Sequence, residues 1–472
     1  MDFLLPLTII GFLISIYEIS ESQKKRNLVF KFGFIDKVIF LILSLLVLAL
    51  VILDIFWQGQ TNSIIWVINN YNLTWSLTIS VLALVVSAII IIYFWVKLNS
   101  KNILLKERFA NNLKDLLNNR KFAELTSDIE IYFKEIFSKN KSMKSISEDI
   151  VTNTQFITYL SENNLDLALK IMKIYSSSGG ENLWNIVGRT LISDRNSRLF
   201  NELNSGVIKK GDLLYFLFKD TKQCQRWLVW KPVGDYVIEY IENQAKVNEN
   251  KNNYYESNYD LVKVSSPIYQ GIRFFDVMVK KSLEQNTPDH MWLYYLGYWT
   301  ERICKNIKYT DNSSAEFKNM YEYYLYQIFD AYRNWITYII RNDFTVPTGE
   351  EGPNIIENTI NSYTFAMKDV ATSKNVREDF KSYLREIYLN TYMELATSKP
   401  KNKFKPYVDF FNDKLSKSSE LAPFLLFAVN NPMSRDIWSQ GAHYSMNQDK
   451  SKILNNFKIM LKSLSSSRGK KK

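Results

Sequence analysis

The sequence predicts a mainly α protein, with an N-terminal bundle of two or three transmembrane helices followed by a large α-helical cytoplasmic region. Three observations predict it. Two apolar runs of bilayer length occupy residues 38–57 and 75–96. Basic residues crowd one flank of each run. Beyond residue 97, apolar residues recur at three- and four-residue spacings, the signature of one buried helix face.

Residues 38–57 read VIFLILSLLVLALVILDIFW and residues 75–96 read WSLTISVLALVVSAIIIIYFWV. About 20 residues rising ~1.5 Å each cover about 30 Å, the depth of the hydrocarbon core. Tyr71 and Trp75 at one end of the second run, and Tyr93, Phe94 and Trp95 at the other, match the aromatic belts of headgroup level. Residues 3–17, FLLPLTIIGFLISIY, span only about 23 Å and contain Pro6 and Gly11. A short third span and an interfacial segment both stay open there. These segments form a membrane block over residues 1–96.

Charge sets the orientation. Lys24, Lys25 and Arg26, with Lys31 and Lys37, precede the first strong run; Lys97, Lys101, Lys106 and Arg108 follow the second. The intervening loop, residues 58–74, has no charged residue. The positive-inside bias puts both basic flanks and the C-terminal region in the cytoplasm, in a multi-pass protein of the cell membrane. Lys24, Lys25, Arg26, Lys97, Lys101, Lys106 and Arg108 are the candidate contacts to anionic lipid headgroups. The excess charge of +11 falls on residues 97–472, because five basic and five acidic groups cancel before them. No compact basic run marks a nucleic-acid site, which argues against that partner.

Within the runs, Asp54 is the one ionisable residue and lies close to Trp57 at the outer end. Ser80, Ala83 and Ser87 offer small and hydroxyl side chains on the second run. They suit close helix packing, either between the protein's own spans or in a homo-oligomer.

The cytoplasmic region divides into a juxtamembrane helix with a first helical unit, 97–245, and a second unit, 258–464, before a basic disordered tail, 465–472. Residues 98–117 carry an apolar stripe and read as a helix continuing from the last span. Further helices are expected over 121–138, 163–175, 181–203, 288–308, 314–341, 375–397 and 448–464. Thr287-Pro288-Asp289 gives the fourth of these, 288–308, a capped start. Residues 227–241 are the best strand candidate, with helix as the alternative. The stretches 244–258 and 342–362 read as irregular. No repeat of fixed period occurs, so an irregular helical stack is the remaining repeat-like architecture.

Few chemistries survive the composition. His290 and His443 are the only histidines, Cys224 and Cys304 the only cysteines, and 15 glycines include no phosphate-binding loop. Asp289 with Glu316 and Lys318 forms a faint nuclease-like trace, and Glu350, Glu351 and Glu357 a loose acidic group; neither has a convergent scaffold. No catalytic, cofactor or metal residue is assigned. Trp292, Tyr295 and Trp299 sit in the densest aromatic cluster, which reads either as a partner surface or as core.

The expected function is that of a non-enzymatic, membrane-anchored bacterial sensor or scaffold whose helical domain binds a cytoplasmic protein partner or signal. The alternative is a regulated pore-forming or membrane-disrupting effector, of the kind used in phage defence, assembled as a homo-oligomer. A membrane-tethered enzyme is the third reading.

Overall fold

The computed structural model describes residues 15, 18, 22–57, 75–100, 103–138, 141–175, 180–247, 264–285, 287, 291–309, 317–344, 353–398, 401–418, 420–430 and 448–468. The protein is mainly α-helical, and no strand occurs among the described residues. The chain forms two compact units, one ending at Ile174 and one beginning at Tyr175.

The first unit contains α1 (Ser22–Lys31), α2 (Phe34–Trp57), α3 (Trp75–Asn99), α4 (Lys106–Asn118), α5 (Phe122–Ile136), α6 (Lys141–Thr152), α7 (Thr154–Asn163) and α8 (Leu165–Ile174). The α2 and α3 helices pair with each other, while α1 packs against α3, α4 and α5. One segment among the described residues, Val81–Asn99, is long and apolar enough to cross a membrane by length and composition. Residues 3–14, 16 and 17 of the weak apolar segment and the whole of loop 58–74 lie outside the described residues.

The expected continuous helix over 98–117 is broken. The α3 helix ends at Asn99 and α4 begins at Lys106. Asn99 and Ser100 favour bonding with nearby backbone over helix continuation. The amides of Leu104 and Leu105 both turn to the Phe30 carbonyl, each at 3.1 Å. Ile103 is buried within this break, so part of the apolar stripe serves an extended connection.

The second unit contains α9 (Gly180–Ser193), α10 (Arg198–Ser205), α11 (Leu213–Phe218), α12 (Thr221–Arg226), α13 (Lys231–Val247), α14 (Pro267–Glu284), α15 (Tyr294–Asn306), α16 (Met320–Arg341), α17 (Ile355–Thr372), α18 (Glu378–Thr397), α19 (Lys401–Lys417), α20 (Leu421–Asn430) and α21 (Gln448–Arg468). Its packing has a simple rule. From α13 to α19 each helix lies against the helix two places along the chain. One layer is therefore α13, α15, α17 and α19; the other is α14, α16 and α18, with α21 beside α18. Alternate helices thus stack into two layers, without a sequence repeat.

The strand reading of 227–241 is corrected. Residues 227–230 form a turn and Lys231–Val247 is a helix. Val233, Val237 and Ile241 are each fully buried at four-residue spacing, so the β-branched content fills a helix face. Pro232 sits in the first turn, where its missing N–H costs nothing. The irregular reading of the stretch from 244 is corrected at its start, since α13 runs to Val247 and packs on both α14 and α15.

Caps account for other differences. The single helix expected over 181–203 is two, because Ser197 accepts from the Phe200 amide and starts α10. The irregular reading of 342–362 fails from Asn354 onward. Asn354 and Glu357 form a capping box that opens α17. The expected start at Thr287 also shifts: its hydroxyl, buried, bonds the Thr221 hydroxyl at 2.5 Å, and α15 begins only at Tyr294. Residues 465–468 of the expected disordered tail belong to α21.

Candidate functional site

The exposed apolar surface of the molecule is concentrated on two helices. Of 28 exposed large apolar side chains among the described residues, 16 lie on α2 or α3 between Ile39 and Val96. Leu41, Ile42, Val81, Leu84, Ile89 and Ile92 are each half exposed or more. A water-soluble surface scatters such residues singly, whereas a continuous apolar patch marks an interaction face. The seam between the helices is narrow: Val47, Val86 and Ile90 are buried together, with Phe40 and Leu43 packed against them.

Ala83 and Ser87 are buried, each 3% exposed. The Ser87 hydroxyl donates to the Ala83 carbonyl at 2.5 Å, and Ser44 does the same to Phe40 at 2.7 Å. Hydroxyls satisfied within their own helix leave no donor for a neighbouring copy. The side chains of Ser80 and Asp54 lie outside the described residues.

A polar clasp closes one end of the pair. Asp36 is 7% exposed and accepts from Lys97 at 2.7 Å, from the Gly33 amide at 2.8 Å and from the Tyr93 hydroxyl. An antiparallel hairpin brings the start of α2 beside the end of α3, which is why an acid at 36 meets a base at 97. Lys31 donates to the Leu98 carbonyl at 2.8 Å and lies over the Tyr132 ring. Asn27 donates to Asp128 at 2.6 Å, both fully buried. Helix α1 is thereby tied to α3 and α5 at once.

Two of the expected headgroup contacts have acidic partners within the chain. Lys97 is engaged by Asp36, and Lys106 pairs with Glu135 at 3.1 Å. Arg108 is exposed. Lys24, Lys25 and Arg26 lie on α1 with side chains outside the described residues, as is Lys101 altogether. Asp36, Lys31 and Tyr93 were not singled out from the sequence as a group. The signal was present in the opposed charges at the adjoining ends of a predicted hairpin.

In the second unit the expected aromatic partner surface is mostly core. Trp292 and Trp299 are 1% and 0% exposed, packed around Phe275. The Trp299 indole donates to the Gly234 carbonyl at 3.2 Å. Tyr295 is half buried and donates to Asp235 at 2.7 Å. Its ring occupies the space a side chain at Gly234 would need, at 2.4 Å from an added Cβ. A helix that is apolar on most faces belongs in a core, and α15 lies between α13 and α17. The exposed aromatics of this layer are Tyr298 on α15 and Phe365 on α17, which are neighbouring helices.

Three charged groups are held inside this stack. Glu322 is fully buried and accepts from Arg377 Nε at 2.5 Å and Nη2 at 3.1 Å, from the Tyr309 hydroxyl at 2.9 Å and from the Lys318 amide at 2.7 Å. Arg385 is 2% exposed, donates to the Phe424 carbonyl at 3.1 Å and stacks near Phe424 and Phe427. Its Nε and Nη2 have no hydrogen-bond partner, and burial pulls its pKa down. Asp369 is pushed up to about 6 by burial, aided by Glu301, and its Oδ2 is unpartnered.

Asp369 gives a measurable pH dependence. Its ordinary value is 3.8, so between about pH 4 and 6 the folded state holds a proton that the unfolded chain has released. Stability therefore falls as pH rises through that window, and the loss is complete above pH 6. Discounted for solvent screening of a partly enclosed side chain, the effect is about 1–2 kcal/mol. Asp369→Asn is expected to flatten the slope and to raise stability at pH 7 by that amount, read from denaturation midpoints at pH 4 and 7. An unchanged slope in the variant would assign the dependence to another group.

Among the described residues no three His, Cys, Asp or Glu side chains cluster as metal ligands. Cys224 and Cys304 are free, buried, and held protonated by burial. Asp289, His290, Glu316, Glu350, Glu351 and His443 lie outside the described residues, while Glu357 serves its helix cap. No protein-family model matches the chain, and no curated protein or solved structure matches it either.

Proposed function

We propose that the chain is an integral membrane protein whose α2–α3 hairpin spans the bilayer and holds a helical double layer in the cytoplasm, where it docks a protein partner. The observation that carries this reading is the apolar surface exposed along the outside of the α2–α3 pair. Burying such surface in water would require another protein, whereas lipid covers it on every side at once. The helices have 24 and 25 residues, about 36 Å at ~1.5 Å each, enough to cross a ~30 Å core with their ends at headgroup level. The clasp of Asp36 and Lys97 falls at such an end, on the side carrying the basic flanks. That charge bias supports a cytoplasmic second unit.

The two-layer stack supports the partner-docking half of the proposal, because stacked helical hairpins present long continuous faces for proteins. Tyr298 and Phe365 supply exposed aromatic area on one such face. The pore alternative needs a face for self-assembly; Ala83 and Ser87 are buried, and the Ser87 hydroxyl bonds within its own helix. Ser87→Leu is accordingly expected to disturb packing around α3.

The test is extraction of the full chain from cell membranes by alkaline carbonate. The wild type is expected to stay in the pellet. Ile42→Arg combined with Val85→Arg is expected to shift most of it to the supernatant or to degradation, since each arginine costs about 3 kcal/mol at mid-span. Wild-type protein in the supernatant would sink the proposal. A phosphatase fused after Lys472 is expected to be inactive and one inserted at Asn62 active.

A further inference from the structure

The apolar surface does not stop at the clasp. Phe34 is 81% and Ile35 72% exposed, in the first turn of α2, ahead of Asp36. Val29 on α1 is 59% exposed and Leu104, in the break before α4, is 46% exposed. The Leu104 side chain lies 3.6 Å from where a Cβ on Gly33, the residue before Phe34, would be. The Leu104 amide bond to the Phe30 carbonyl fixes that placement. Four large apolar residues thus stand exposed beyond the last charged residue of the hairpin, where a soluble surface would be polar.

One cation stands among them. Lys37 is exposed, one helical turn from Phe34, and has no acidic partner among the described residues. Its neighbours Lys31 and Lys97 are both engaged, by the Leu98 carbonyl and by Asp36.

We infer that Val29, Phe34, Ile35 and Leu104 form an interfacial shelf that sits at the glycerol level of the cytoplasmic leaflet, with Lys37 bonded to the phosphate of an anionic lipid. The inference rests on the spanning of α2 and α3 proposed above. Lipid is the occupant because the shelf is continuous with the apolar surface of α2 and carries an unpaired cation at its edge. Apolar side chains buried shallowly beside a lysine are the pattern of interfacial anchors. The shelf fixes the depth of α1 and of the α4 connection, while the hairpin fixes only the crossing.

The test uses the full chain reconstituted in phosphatidylcholine vesicles containing phosphatidylglycerol. Nitroxide labels are placed singly at Phe34→Cys, Ile42→Cys and Tyr215→Cys, with the buried Cys224 and Cys304 retained. Collision with oxygen and with a water-soluble nickel complex reports depth. The Ile42 label is expected to meet oxygen alone, the Tyr215 label chiefly nickel, and the Phe34 label both, at intermediate rates. A Phe34 label that behaves as Tyr215 does, with Ile42 still shielded, overturns the shelf and leaves the spanning reading intact. An Ile42 label open to nickel overturns both. Dipolar broadening between Phe34 labels would assign the face to a second copy and equally overturn the shelf. For the cation, Lys37→Gln is expected to lower the preference for spin-labelled phosphatidylglycerol over phosphatidylcholine by up to about fivefold. An unchanged preference removes Lys37 as the contact.

Discussion

Glu322→Ala is expected to destabilise the second unit by about 3–5 kcal/mol, because it leaves the Arg377 guanidinium next to an emptied, buried site. Glu322 accepts four hydrogen bonds and is fully buried, so its removal also orphans the Tyr309 hydroxyl and the Lys318 amide. The network ties the N-terminus of α16 to the residue that caps α18. Loss of it should loosen both, since α16 and α18 pack along each other in the same layer. The measurement is the urea midpoint of the full chain in detergent, followed by near-ultraviolet dichroism of the buried tyrosines. The paired variant Glu322→Gln with Arg377→Met should recover more than half of the loss, because it removes the unbalanced charge. A single-variant loss under 1 kcal/mol would mean that water reaches Arg377 and that the network is not part of the core.

Arg385→Met is expected to act in the opposite direction and raise stability by about 1–3 kcal/mol. A buried guanidinium with one carbonyl partner and two unpaired N–H groups carries an uncompensated desolvation cost. The ring contacts with Phe424 at 4.7 Å and Phe427 at 5.4 Å recover part of it. Methionine keeps the packing volume and the contact with both rings while removing the charge. The same urea midpoint reads the outcome. A variant less stable than the wild type would show that the two ring contacts outweigh desolvation.

The α character and the longer helices were legible because apolar spacing survives without tertiary information: Phe122–Ile136, Leu165–Ile174 and Glu378–Thr397 lie close to their expected limits. Short helices such as Leu213–Phe218 and Thr221–Arg226 were not, since six residues complete too few turns to show a period. The capping box of Asn354 and Glu357 was readable in principle, but the glycines and prolines upstream of it drew the irregular stretch too far. The aromatic run 292–299 carried no local cue to separate core from surface. Burial there depends on α13 and α17, which approach α15 from either side. At the hairpin, composition identified the apolar helices. It could not identify which lysines were free, because the pairing of Lys97 with Asp36 and of Lys106 with Glu135 depends on which helices meet.

The two amides that turn to the Phe30 carbonyl set an order of assembly during synthesis. Phe30 leaves the ribosome more than 70 residues ahead of Leu104 and Leu105, with the whole hairpin between them. Chains mature from the N-terminus as they are made. The carbonyl therefore waits until α2 and α3 have paired and brought the end of α3 back beside α1. Only then can the 103–105 segment dock and α4 and α5 close over Asn27. A chain whose hairpin fails to pair would carry an open α1 and an unfinished first unit, and it would present both to the cell's proteases.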